Sequence, residues 1–399
     1  MTPGTEEGKK PFLPALPDYL AFPIFFLISY GSWGTVNAYF PVYFNSFGYS
    51  NTQIGVLSAV GPFAAFFGLL FWGARADRAR YRNNVLLFLI IALGAISQLY
   101  LLNGAFYYTF ALSVVFMFCF YPMGPVGEAM FIEHAQSGKV DFGKGRVWGS
   151  FGLALLPLLP GLVISNWGIR NLFPAYLVLT ILLLFITLQL PRMRGGQSVE
   201  GKKTNILQLR HDKEFVGLIC FLFFLHMTLG FYYSFFPVYM DNVGATDIIG
   251  VNNLAQFGAE FILVYFIVRI IKRFGFAKLH VFAFILTAAR MLLIGFVTSP
   301  VLLLIINLIG GLGYSMCMML FTFFALRAPK ELRTSAQMLV GLVAHTISRF
   351  LGSIIGGALS DVIGIPSVFV YAGVFDILLI AGFILWLRKT RSLRDPILM

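Results

Sequence analysis

Glu260, Arg290, Arg349 and Asp376 stand inside stretches of chain that are otherwise apolar, and Glu128 and Arg146 stand near the ends of two more. An ionisable group at the centre of a membrane helix costs about 2.5 to 3.5 kcal/mol on insertion scales, so each one retained demands a reason. Asn253, Gln256 and Glu260, at spacings of three and four, share one helical face suited to a wet cavity. A carboxylate partly withdrawn from water there can carry a proton near neutral pH; the alternative is a structural salt bridge from Glu260 to Arg290. Glu128 and Arg146 can meet across a short loop, either as a solute-binding pair or as a structural one. Gly341, His345, Arg349, Gly352 and Gly356 fall on one stripe at helical spacing, where small residues admit a neighbour or a ligand. An interior arginine that can hold a carboxylate bidentately points to anionic solutes, unless Arg349 is neutralised by Asp376.

The elements that must position these groups are set by composition. The chain of 399 residues is 58% hydrophobic and 12% charged, with 44 Phe, 40 Gly and a mean hydropathy of +0.83. A water-soluble globule of that composition lacks the polar surface to cover itself. Apolar runs long enough to cross ~30 Å of hydrocarbon at ~1.5 Å per residue cover 18–44, 52–74, 84–103, 105–130, 146–165, 172–191, 214–240, 247–271, 278–297, 300–326, 335–360 and 366–387. The first is too long for a signal-peptide core and lacks a small-residue cleavage pattern. The expectation is an all-α polytopic membrane protein with twelve transmembrane helices in two pseudo-symmetric six-helix bundles. These are 1–191 and 214–399, joined by a polar linker over 192–213.

Of the 29 Lys and Arg, those in the amino terminus, in alternate loops and in the carboxyl tail lie on one side of this ladder; the opposite loops hold Arg170. The positive-inside rule then places both termini in the cytoplasm and the protein in the cell (inner or plasma) membrane as a multi-pass species. Topology and anionic headgroups account for the net charge of +12, so no nucleic-acid partner is implied. Cys119, Cys220 and Cys317 stand singly in apolar helices and read as packing residues; no metal framework is indicated. A lone near-match to a phosphate loop across Gly196 to Lys203 follows no strand and does not support nucleotide binding. No nucleophile–base constellation supports an enzyme.

The second half repeats the first. Phe40-Pro41-Val42-Tyr43 recurs as Phe236-Pro237-Val238-Tyr239 at an offset of 196 residues, and the same offset relates Gly161 to Gly357 and Gly168 to Gly364. It aligns Tyr30, Gly34, Asn37 and Pro41 with His226, Gly230, Tyr233 and Pro237, each set on one helical face. Asn37, His226 and Tyr233 are therefore candidates to touch or gate a solute, with packing as the alternative for His226.

Gly73-Ala74-Arg75-Ala76-Asp77-Arg78-Ala79-Arg80-Tyr81-Arg82 closes the second apolar run. A carboxylate among arginines at a helix end can pair with them and with the positive amino-terminal end of a neighbouring helix, the one beginning near Thr334 and Ser335 being the natural candidate. Gly73, Asp77, Arg78 and Arg82 would then gate the cytoplasmic side, or else mark topology alone. The Gly-x-x-x-Asp-Arg-x-x-x-Arg spacing of these residues resembles the major facilitator superfamily. Asp141 to Gly152, Phe257-Gly258-Ala259-Glu260, Leu332 to Gln337 and Gly356 to Asp361 resemble its branch of lactose permease-like, nucleoside and phenylpropionate proton symporters. That resemblance implies two bundles rocking about a midplane site, a coupling role for Glu260 with Arg290, and solute contacts from Glu128 and Arg146. The aromatic that stacks on sugar in those permeases is replaced by Leu153, with Trp148 elsewhere on the helix.

The resulting expectation is a secondary transporter that imports a small polar organic solute (a sugar, a nucleoside or an organic acid) by proton symport. The proton-coupling residues would be Glu260 and Arg290. Glu128, Arg146, Asn37, His226, Tyr233, Gln256, His345 and Arg349 would bind solute. No cofactor beyond the coupling proton and no metal is expected, and the protein would act as a monomer. The alternative is an exporter or an uncoupled facilitator of the same fold.

Overall fold

The computed structural model describes residues 16–136, 138, 140–195, 213–325 and 333–389. Among them the chain is helical and contains no strand. In a bilayer core each unsatisfied backbone group is costly, and a helix satisfies its own. The first half runs α1 (Asp18–Asn45), α2 (Asn51–Arg78), α3 (Arg82–Leu99), α4 (Phe106–Ala135), α5 (Phe142–Leu155), α6 (Leu158–Trp167) and α7 (Leu172–Gln189). The second runs α8 (Lys213–Asn242), α9 (Ile249–Phe274), α10 (Phe276–Phe296), α11 (Pro300–Ala325), α12 (Arg333–Gly341), a π-helical turn (Leu342–Ile347), α13 (Ser348–Ile363) and α14 (Ile365–Lys389). α5 with α6, and α12 with the π turn and α13, are single passes broken midway, so the described residues make twelve passes. The exterior is apolar, with Phe67, Leu70 and Leu182 among the exposed side chains that face lipid.

Local sequence explains the breaks and ends. Pro157 stands between α5 and α6, and its carbonyl accepts both from Gly161 N–H, opening α6, and from the Tyr39 hydroxyl of α1, each at 3.1 Å. Ser50 and Gln53 form a reciprocal capping box that starts α2. Nine passes or helices among the described residues are long and apolar enough to cross a membrane. α9 is as long but carries Asn252, Asn253, Gln256 and Glu260, which dilute its apolar character.

Small residues set how closely the helices approach. α5 lies on α1 through Gly149 and Gly152, with Gly145 against Phe131 of α4, and a Cβ on Gly152 would collide with the carbonyl of Leu27. The second half does the same, Gly352 against the backbone of Met227 and Gly356 against Phe231, where α13 lies on α8. Without a hydrophobic drive between helices in lipid, such backbone approach supplies the packing energy. Each half packs chiefly on itself, and the halves meet along α2 with α13 and along α5 and α6 with α9.

Three features depart from expectation. The expected linker begins in contact with the first half: Arg82 N–H donates to the carbonyl of Met193 at 2.8 Å and Gly195 N–H to that of Ala79 at 3.1 Å. Its remainder, 196–212 with the phosphate-loop-like stretch, lies outside the described residues. The Gly341-to-Gly356 stripe is not one continuous α-helical face, because the π turn inserts extra backbone between Gly341 and Arg349 and rotates the two ends apart. Cys220 is exposed rather than packed, whereas Cys119 and Cys317 are buried.

Replacing Gly152 by Val forces α1 and α5 apart. Overpacking typically costs about 1–3 kcal/mol, so the melting temperature of the detergent-purified protein should fall by several degrees. A matching substitution at Gly124, whose Cβ direction is open, should leave it nearly unchanged.

Candidate solute-binding site

Two cavities open between the halves and share Asn37 and Tyr233. The larger, about 620 Å³, is walled by Asn37, Phe40, Phe44, Ser58, Phe120 and Tyr121 from the first half and by Tyr233, Ser234, Arg349 and Ser353 from the second. The other, about 460 Å³, is walled by Trp33, Asn37, Tyr232, Tyr233, Asn252, Asn253 and Gln256. A third hollow of about 570 Å³, bounded by Tyr30, Trp33 and Tyr121, continues the series within the first half. The repeat offset thus brings Asn37 of α1 and Tyr233 of α8 to one central space.

Three interior arginines each lie over a tyrosine ring. Arg146 stacks on Tyr30 with its guanidinium carbon 4.1 Å from the centroid, Arg290 on Tyr232 at 3.9 Å, and Arg349 on Tyr233 at 4.3 Å. The ring quadrupole returns part of the electrostatic stabilisation lost with water. Arg146 is further held by charge: its Nε donates to Glu128 at 2.6 Å, its Nη2 donates to the Tyr30 hydroxyl at 2.8 Å, and that hydroxyl donates to Glu128 at 2.6 Å. Gly149 leaves the room for this triangle, since a Cβ there would meet both Arg146 and Tyr30.

Arg290 is 1% exposed, and Gly310 of α11 makes space for its side chain. None of its three guanidinium nitrogens finds a hydrogen-bond partner, so the anticipated bridge to Glu260 is not a hydrogen-bonded pair in this structure. Glu260 is half-buried on α9, one turn past Gln256, and its field reaches Tyr233 and Tyr314. Asp376 is 1% exposed, accepts from the Thr228 hydroxyl at 3.1 Å and interacts electrostatically with Arg290 rather than Arg349. Arg349 instead donates from Nη2 to the Tyr314 hydroxyl at 3.0 Å. Tyr232 donates to Gln256 at 3.3 Å and to Asn307, and Gln256 donates to Tyr233 at 3.3 Å, so an amide network fixes both ring platforms.

Not every candidate reaches the cavities. His226 is fully buried, with Nδ1 3.0 Å from the Leu222 carbonyl and its ring against Tyr314, and it lines neither central cavity. The side chain of His345, with those of Thr334 and Ser335, lies outside what the structure describes.

Among the described residues, Asn253 bonds the Gly34 carbonyl across the halves deep in the bundle, and a denser set of hydrogen bonds joins the halves at one end. Asn45 donates to Asp241 at 3.0 Å and to Asn242 at 3.2 Å, while Asp361 accepts from the backbone of Asn51 at 2.7 Å and of Thr52 at 2.9 Å and from the Thr52 hydroxyl at 2.5 Å. A carboxylate at the end of α13 thus sits on the amino terminus of α2, where N–H groups and helix dipole both favour it. Gly55 and Gly357 allow the contact by admitting the backbones of Ser353 and Asn51. At the far end of α2, Asp77 pairs with Arg82 at 3.3 Å and Arg82 with Glu133 at 2.6 Å, both within the first half; Gly73 lies in open space and Arg78 is exposed. Sequence reasoning assigned no gating to Asp361, although it closes a Gly-Gly-x-x-x-Asp run just before a helix-ending glycine. Tyr30, Ser58 and Tyr121 were also missed, since an aromatic or a serine on an apolar helix carries no signal until its neighbours are known.

A family model described as the MFS_1 like family matches residues 19–371. The chain belongs to that family. Its curated relatives include a maltose permease of Geobacillus stearothermophilus, 22% identical over 93% of this chain and 95% of the permease. They also include a sucrose permease of Escherichia coli, 21% identical over 93% of each chain. A putative nucleoside transporter of Escherichia coli K12 is 23% identical over 86% of this chain and 84% of its own. The fold matches the crystal structure of the nucleoside transporter NupG with a TM-score of 0.83 at 15% identity, over 94% of this chain and 100% of that one. This MFS_1-like protein is therefore a polytopic membrane transporter and not an enzyme.

Removing the Asp361 carboxylate deletes three charge-assisted hydrogen bonds. Losing even one such bond, worth about 1.5–3 kcal/mol, moves a two-state equilibrium about tenfold or more. In a cysteine-free background with spin labels at Ser46 and Asp247, Asp361→Ala should shift the inter-label distances to longer values. An unchanged distribution would show that the contact does not hold that end shut.

Proposed function

We propose that this MFS_1-like transporter imports a small polar organic solute together with a proton, exposing its central cavity alternately to the two sides of the cell membrane. The observation that carries this reading is a cavity walled by both halves with Arg349 in its second-half wall, beside a second cavity whose Tyr232 ring carries Arg290 and whose Gln256 lies one turn before Glu260. The positive-inside rule makes the Arg75-to-Arg82 end cytoplasmic and the Asp361 end external. On that assignment the structure is sealed outward, and the Asp77–Arg82–Glu133 pairs mark the cytoplasmic end of α2.

In the proposed cycle Glu260 takes a proton from outside, solute enters between Asn37, Tyr233 and Arg349, the bundles rock, and both are released inward. Glu128, Arg146 and Tyr30 form the first-half side of the path. One proton moving inward supplies ~2.3 kcal/mol per 100 mV, a concentration ratio of about fiftyfold. The proton is the coupling ion; no metal or organic cofactor enters the cycle, and one chain suffices for it. Sugar and nucleoside permeases among the relatives support a small solute. The rival reading, an exporter or facilitator in which Glu260 and Arg290 merely neutralise one another, calls for a hydrogen-bonded pair, and the bare Arg290 nitrogens argue against it.

In proteoliposomes with a pH dye outside, the correct solute should raise external pH as it enters. Glu260→Gln should abolish uphill uptake while preserving binding and solute exchange. Uphill uptake at the wild-type rate in that variant would overturn the coupling assignment, and external acidification would reverse the direction of transport.

A further inference from the structure

Two buried polar atoms without a hydrogen-bond partner belong to the wall of the same cavity: Ser58 Oγ on α2 and Arg349 Nε on α13. They approach it from opposite halves. The side chains whose fields act most strongly on Arg349 are Tyr314, Tyr233 and Tyr121. Glu260 acts on the same Tyr233 and Tyr314 from α9. Tyr121 adds its hydroxyl to that wall. A cation in a membrane interior with donors on both sides of an adjoining void has the chemistry of an anion site.

The neighbouring cavity is different. Its amides are engaged: Asn252 accepts from Asn307 of α11 at 2.5 Å, Gln256 donates to the Tyr233 hydroxyl at 3.3 Å, and Asn253 donates to the Gly34 carbonyl at 3.4 Å. A polyhydroxylated neutral solute there finds groups already engaged, whereas an anion at Arg349 finds open donors. Around those donors the wall is Phe40, Phe44 and Phe120.

We propose that the cavity at Arg349 binds an organic monocarboxylate with an apolar or aromatic body. Its carboxylate accepts from Arg349 and Ser58, and its body lies against the three phenylalanines. This rests on the transport reading only in taking the central cavity as the solute's place.

Calorimetric titration of the full-length protein in detergent tests the assignment, with phenylacetate, hexanoate, phenylacetamide, maltose and uridine as probes. Both acids should bind, and phenylacetamide, the same shape without charge, should bind about thirtyfold more weakly or not at all. Arg349→Gln should cost phenylacetate a similar factor, Arg349→Lys less, and Ser58→Ala a few-fold. If Arg349→Gln aggregates, the acid-to-amide ratio in the native protein and the Ser58→Ala result decide. Absence of acid binding at millimolar concentration, equal binding of acid and amide, or unchanged affinity in a folded Arg349→Gln would overturn it. Acid binding without proton-coupled uptake would leave the site standing and remove the import reading; coupled maltose or uridine uptake without acid binding would do the reverse.

Discussion

A guanidinium inside a lipid-embedded bundle needs something to replace its water, and here that replacement is the face of a tyrosine. Arg146, Arg290 and Arg349 each lie on one, and what differs among them is the rest of the shell. Arg146 has a carboxylate and a hydroxyl in contact, which makes it a rigid part of the first half. Arg290 has a ring beneath it and the field of Asp376, but no hydrogen bond. Arg349 has a ring, one phenol and a void. The same cation is thus structural in one place and available in two others, and the supply of second partners makes the difference.

That arrangement depends on glycine. Gly149 admits the Arg146 and Tyr30 stack, Gly310 admits the Arg290 side chain, and Gly230 admits the backbone of Arg349. In lipid, where apolar surface gains little by leaving its surroundings, such backbone proximity holds the helices together. It also brings charged side chains within reach of partners on the next helix. Stability and site geometry therefore draw on the same residues.

The antiparallel pair of α2 and the α12–α13 pass carries a carboxylate near the end of each member, Asp77 on one and Asp361 on the other. Asp361 is engaged on the amino terminus of α2, while Asp77 pairs within its own half. A carboxylate on a helix amino terminus is stabilised by several N–H groups at short range, and rotation of the halves removes them together. Such a contact is suited to two discrete arrangements rather than a continuum.

Composition, the charge ladder and the 196-residue repeat determine a twelve-pass, two-fold helical membrane protein, because hydrophobic length and internal duplication are properties of the chain itself. The Glu128–Arg146 pair was legible for a related reason: a short loop brings the two helices together whatever else happens. Tertiary structure alone decided that Arg349 meets Tyr314 rather than Asp376, that His226 points into packing, and that Asp361 reaches across to α2. The azimuth of each helix and the π turn before Arg349 set those pairings. Helix rotation is fixed by contacts among segments remote in sequence, which periodicity along any one segment cannot register.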